Sequence, residues 1–140
     1  MSTPQPAPHD AAPPRPGRSL ATRFAVALVA CLSLGPLMTG LGLWLGFLPN
    51  QFPVIQNLYA AGPAAHAVWF GAGVLGIAAI VALLRAPRLA VAVCLAFAIA
   101  YVFGALWLLG QFTFGAWAAI ASVPLSIAAA VAESRRARLA

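Results

Sequence analysis

Very few side chains in this sequence could do chemistry, and His66 is the first of them. It is the only residue of the Asp, Glu, His, Lys and Arg set inside an apolar run, and Trp69, Phe70 and Gly73 follow three, four and seven residues on, which puts them on its side of a helix. A histidine set among aromatics near a membrane boundary can hydrogen-bond a quinone or lipid headgroup, or ligate haem. It can equally rest as an interfacial histidine bonded to water or to a loop carbonyl. Bis-histidine haem ligation needs a second membrane histidine, and the other one, His9, lies in a Pro-rich stretch. Cys31 and Cys94 both sit in apolar runs without a C-x-x-C spacing, so they read as small packing residues rather than a metal or redox pair. No metal site and no cofactor are expected.

The missing residue types narrow the chemistry further. No apolar run holds Asp or Glu, which a proton-coupled exporter of small cations requires. Paired cysteines for quinone-linked disulfide exchange are lacking, and the two asparagines, Asn50 and Asn57, fall between runs rather than inside them as an anion channel would need. No G-x-S-x-G, H-E-x-x-H, P-loop or dinucleotide fingerprint occurs, and no nucleophile stands near a base. The sequence therefore reads as a non-enzyme.

Composition dictates what positions these residues. Of 140 residues, 63% are hydrophobic and 7% charged, with a mean hydropathy of +0.94. A soluble globule of this size exposes too much surface to carry so few charges, since about a quarter of its residues are normally charged. The chain divides into a Pro-rich tail over residues 1–23, expected to be disordered, and four apolar runs at about 24–48, 63–84, 89–109 and 112–132. A basic tail, 133–140, closes it. The expected fold is all-α, a membrane-embedded four-helix up-down bundle, because connections as short as Arg85-Ala86-Pro87-Arg88 and Gly110-Gln111 force antiparallel neighbours. The first run is too long for a cleaved signal core, and Pro36 within it predicts a kink.

Charge then orients the bundle. Asp10, Arg15, Arg18 and Arg23 precede the first run, Arg85 and Arg88 separate the second and third, and Glu133, Arg135, Arg136 and Arg138 follow the fourth. The other connections carry no charge. Positive residues stay on the cytoplasmic side, so both termini are expected in the cytoplasm of a bacterium, with the chain in its inner membrane. The arginines are topology determinants that meet anionic headgroups, and the net charge of +6 does not indicate nucleic acid. All four tryptophans, Trp44, Trp69, Trp107 and Trp117, lie toward the opposite, outer side, as do Gln51, Gln56, Asn57, Tyr59 and Gln111. An aromatic anchoring belt accounts for the tryptophans, although not for its one-sidedness.

Rows of small residues four apart suggest how the helices associate, because lipid offers them no hydrophobic drive to pack. The third run has Ala92, Ala96, Ala100 and Gly104, the fourth Ala118, Ser122, Ser126 and Ala130, and the first a Gly42-x-x-x-Gly46. A hairpin of the third run on the fourth is expected. In this topology, in Gly46-Phe47-Leu48-Pro49 leaving the first run, and in His66-x(4)-Gly71-x(4)-Gly76 of the second, the chain resembles small bacterial four-helix inner-membrane proteins of the DoxX-like type and neighbouring families of unknown function. The resemblance covers residues 24–132. Some such proteins are similar to subunits of membrane redox assemblies, which implies an accessory role, with a membrane-protein partner or a second copy docking on the small-residue faces. The alternative is binding or transport of a quinone, lipid or other amphiphile by His66, Trp69, Trp44, Trp107 and Gln111 in the outer layer.

Overall fold

The computed structural model describes residues 17–51 and 53–139, so the segment with Asp10 and Arg15 lies outside the described residues. Five helices follow one another: α1 (Leu20–Leu45), α2 (Pro53–Ala60), α3 (Gly62–Arg85), α4 (Pro87–Leu109) and α5 (Phe114–Leu139). The four long ones are long and apolar enough to cross a membrane and form the expected all-α four-helix bundle. Each packs against two others: α1 and α4 both touch α3 and α5. The expected α4–α5 hairpin is present, and α1 closes the ring on the far side.

Local chemistry moves several boundaries from where hydropathy puts them. Helix α1 begins at Leu20 rather than Phe24 because Ser19 is its N-cap, the hydroxyl accepting from the Thr22 N–H at 3.1 Å. It continues through Pro36 and ends at Gly46, whose φ of 70° is the left-handed conformation that glycine adopts freely. The connection from Pro49 to Gly62 contains α2, which the sequence did not announce. The turn between α3 and α4 shrinks to Ala86, with Pro87 at the start of the next helix, where its missing N–H costs nothing. At the other end, α5 starts at Phe114 after Thr113 accepts from the Ala116 N–H, and it runs on as helix to Leu139 instead of fraying into a tail. Arg136 and Arg138 in its last turn suit the negative end of the helix dipole.

The buried seams do not follow steps of four. The central stripe of α3 is Ala65, Trp69, Ala72, Gly76, Ala79 and Leu83, with Gly73 and Ala82 buried beside it; that of α4 is Ala90, Cys94, Phe97, Tyr101, Gly104 and Leu108, with Ala98 and Ala105 beside it. Both alternate steps of four and three, the 3.5-residue period that keeps a stripe facing its partner in a left-handed bundle. A strict step of four advances 400° and drifts about 40° per step off that stripe. The row on α4 is therefore not a packing face within the bundle: Ala92 and Ala96 are exposed, Ala100 is half-buried and Gly104 alone is buried. On α5 the drift runs both ways, with Ser122 and Ser126 buried and Ala118 and Ala130 half-buried. The Gly42-x-x-x-Gly46 pair is not a helix seam either, since Gly42 receives Leu48 of its own chain and Gly46 is the C-cap.

The two ends of the bundle's chain are tied together on the arginine side. Glu133, just beyond the apolar part of α5, accepts from the Ser19 backbone N–H and from the Thr22 hydroxyl, both at 2.9 Å. Arg136 donates to the Gly17 carbonyl. The Ser19 N–H, and after it the Thr22 hydroxyl, hold the Glu133 carboxyl below the usual carboxylate range. A carboxyl depressed in the folded state stabilises it above the ordinary carboxylate pKa of about 4.3, and that contribution is lost as pH falls. Thermal unfolding in detergent should therefore be flat from neutral pH to about pH 5 and weaken below it. Glu133→Gln should flatten that acid limb; an unchanged limb would show that the clamp carries none of it.

Candidate functional site

The end of the bundle opposite the arginines is built by α2 and the turns around it. Leu58 of α2 is buried, Gln56 Nε2 donates to the Asn50 carbonyl at 3.0 Å, and Tyr59 Oη donates to the Leu48 carbonyl at 3.4 Å. The His66 ring bonds the Leu58 carbonyl through Nε2 at 2.5 Å. Leu58 falls in the last turn of α2, where carbonyls have no partner within the helix, so α3 supplies one. A carbonyl oxygen only accepts, hence the hydrogen of this pair sits on His66 Nε2. Of the readings open to a lone interfacial histidine, this geometry corresponds to the chain-carbonyl one.

Beside this bond a cavity of about 360 Å³ opens between α1 and α3. Gly40, Leu41 and Trp44 line it from α1, and Pro63, His66, Ala67 and Phe70 from α3. Gly40 is there because of backbone proximity: a Cβ on it would stand 2.9 Å from the Phe70 Cβ. His66 is the one side chain in this lining with hydrogen-bonding nitrogen to spare beyond the Trp44 indole N–H, and no charged residue contributes. Every charged residue with a described position, Glu133 and the seven arginines from Arg18 to Arg138, belongs to the opposite end.

The five proposed ligand residues are thus divided. Trp44 and His66 share the cavity, with Trp44 85% exposed at its rim. Trp69, at 8%, turns into the bundle and packs on Tyr101, ring centroids 5.2 Å apart, with Phe97 beyond at 5.8 Å from Tyr101. Gly104 accommodates the Trp69 ring, and the Trp69 Nε1 has no hydrogen-bond partner among the described residues. Trp107 faces outward against Phe103 on α4, and Gln111 is exposed in the turn that follows. Trp117 pairs with Phe112, also outward. Three tryptophans thus have the exposure an anchoring belt requires, whereas Trp69 is core.

Sequence reasoning passed over Leu41, Pro63 and Ala67, and it set Phe70 beside His66 without counting it among the ligand residues. Phe70 stands four residues from His66 on the same side of α3, a signal that was readable; Leu41 and Ala67 carry no signature until α1 and α3 are set side by side. A second, wider cavity of about 550 Å³ lies between α4 and α5, lined by Leu95, Ile99, Phe103, Ile120, Pro124 and their neighbours. Its lining has no polar side chain. Among the described residues no group of three or more His, Cys, Asp or Glu side chains is arranged to hold a metal ion. No family model, curated protein or solved structure matches the chain.

Proposed function

We propose that this multi-pass membrane protein holds one amphiphile, a quinone, a lipid or a molecule of similar build, in the outer cleft between α1 and α3. The observation that carries the reading is the cleft itself: about 360 Å³, apolar walls and an imidazole at one edge, on the side where the tryptophans gather. Small-molecule sites combine an apolar lining with few polar groups in this way. His66 would fix the headgroup, Trp44 and Phe70 would flank it, and the tail would leave toward lipid along Leu41. The one-sided arginines support an inner-membrane orientation with both termini in the cytoplasm and the cleft in the outer leaflet. No reaction is assigned to the site, and no resident cofactor.

A second reading, that the chain is an accessory subunit of a membrane complex, is favoured by Ala92 and Ala96. Both face outward on α4, where small side chains let a partner helix come close. One experiment separates the two: purification from native membranes in a mild detergent, with mass spectrometry of whatever remains bound. An amphiphile retained at about one per chain is the expected result. Stoichiometric partner proteins and no enriched amphiphile would overturn the first reading in favour of the second.

A further inference from the structure

The geometry points to a headgroup class for the cleft: we propose that its ligand carries a neutral hydroxyl on an aromatic ring, a phenol or hydroquinone type, which donates a hydrogen bond to His66 Nδ1. The inference rests on the cleft being an amphiphile site, and it adds which chemistry that site prefers. The starting point is the bond from His66 Nε2 to the Leu58 carbonyl. In a neutral imidazole one nitrogen carries the hydrogen and the other is a bare acceptor. With Nε2 committed as donor, Nδ1 is left to accept, and no described residue donates to it. A ligand group that only accepts, such as a ketone or quinone carbonyl, finds no donor on that ring, whereas a hydroxyl finds an acceptor in Nδ1.

Charge excludes the next class. The seven described arginines all lie at the far end of the bundle, and neither a cation nor an acid lines the cleft. A carboxylate or phosphate would enter an apolar cavity unpaired, which costs far more than leaving it at the headgroup surface. Pro63, which lines the mouth of the cleft, has no N–H to offer an anion. Shape selects the ring. Trp44 and Phe70 face the cavity from α1 and α3, and offset or edge-to-face contacts with two aromatic side chains favour an aromatic ligand over a branched aliphatic one. About 360 Å³ holds such a ring and the start of an alkyl tail, which matches the smaller end of ligand pockets.

The test uses the purified full-length protein in detergent and three probes with alkyl tails of about eleven or twelve carbons: 4-dodecylphenol, its methyl ether and dodecanoate. Binding is read by native mass spectrometry at one micelle concentration. The phenol should be retained about fivefold to tenfold better than the ether, the size of one net neutral hydrogen bond, and dodecanoate least. His66→Phe, which keeps the ring volume and removes the acceptor, should make phenol and ether equal. His66→Gln, whose amide can donate to Leu58 while its oxygen accepts, should restore part of the difference. Equal retention of phenol and ether by the unaltered protein, or a preference for dodecanoate, would overturn the headgroup class while leaving the cleft as a site. If none of the three is retained above an Ala67→Phe variant with its cleft filled, the cleft reading fails and the headgroup class falls with it.

Discussion

Gly76→Ala is expected to lower the unfolding midpoint in detergent by roughly 5 °C, the effect of about 2 kcal/mol in a chain of this size, and Gly76→Val by more. The reason lies where three helices meet. A Cβ on Gly76 would stand 1.8 Å from the Ser33 Oγ, 2.8 Å from the Ser33 Cβ and 3.1 Å from a ring carbon of Phe97. The hydroxyl could rotate, at the loss of its 2.6 Å bond to the Val29 carbonyl, but the Ser33 Cβ moves only if α1 moves. In lipid no hydrophobic force pulls the displaced helix back, so lost contact is lost association. Two controls make the result specific. Gly71, on the same helix with open space around its Cβ position, should accept alanine without loss, and Ser33→Gly should recover much of the stability lost in Gly76→Ala. A Gly76→Ala protein as stable as the parent would mean that α1 and α3 do not meet on this seam.

Filling the cleft between α1 and α3 is expected to reduce retention of the proposed amphiphile about tenfold or more, since a ring in the cavity takes the space the ligand needs. Ala67 is the position of choice. It is exposed, lines the cavity beside His66, and takes no part in the buried core, so a phenylalanine there should leave the unfolding midpoint close to that of the parent. Ala92→Phe, the same change on the outward side of α4, is the matched control and should leave retention unchanged. Equal losses in both variants would show that added bulk anywhere on the surface displaces loosely held lipid.

The contrast between these two sites shows what a membrane sequence declares. Four spans and their one-sided charge are legible because hydropathy is averaged over some twenty residues and the arginines mark the gaps. Helix rotation is far less so. In a chain this rich in alanine, a step of four is easily found, and only the alternation of four and three identifies the stripe that is buried, as Ala92 and Ala96 demonstrate by facing outward. The Ser19–Glu133 clamp spans 114 residues, and no local pattern joins its halves. Helix α2 escaped notice because eight residues between prolines and glycines carry too short a period to stand out from a loop.

The candidate site divides along the same line. His66 could be singled out by type, as the one residue of the Asp, Glu, His, Lys and Arg set in an apolar run. Trp69 looked like its companion because three residues on a helix are neighbours, yet 300° of rotation leaves them about 60° apart, enough for one to border a cleft and the other to enter the core. Trp44, 22 residues earlier on another helix, is the tryptophan that shares the cleft.

Photolabelling tests the central claim most directly, because it reports where an amphiphile sits. A 4-alkylphenol with a diazirine next to its ring, activated on the full-length protein in detergent, should label peptides containing Leu41, Trp44, Ala67 and Phe70. That labelling should disappear in Ala67→Phe or with excess 4-dodecylphenol. Labelling concentrated on Leu95, Ile99 and Ile120 in the α4–α5 cavity, or spread evenly over every lipid-facing surface, would contradict a binding cleft between α1 and α3.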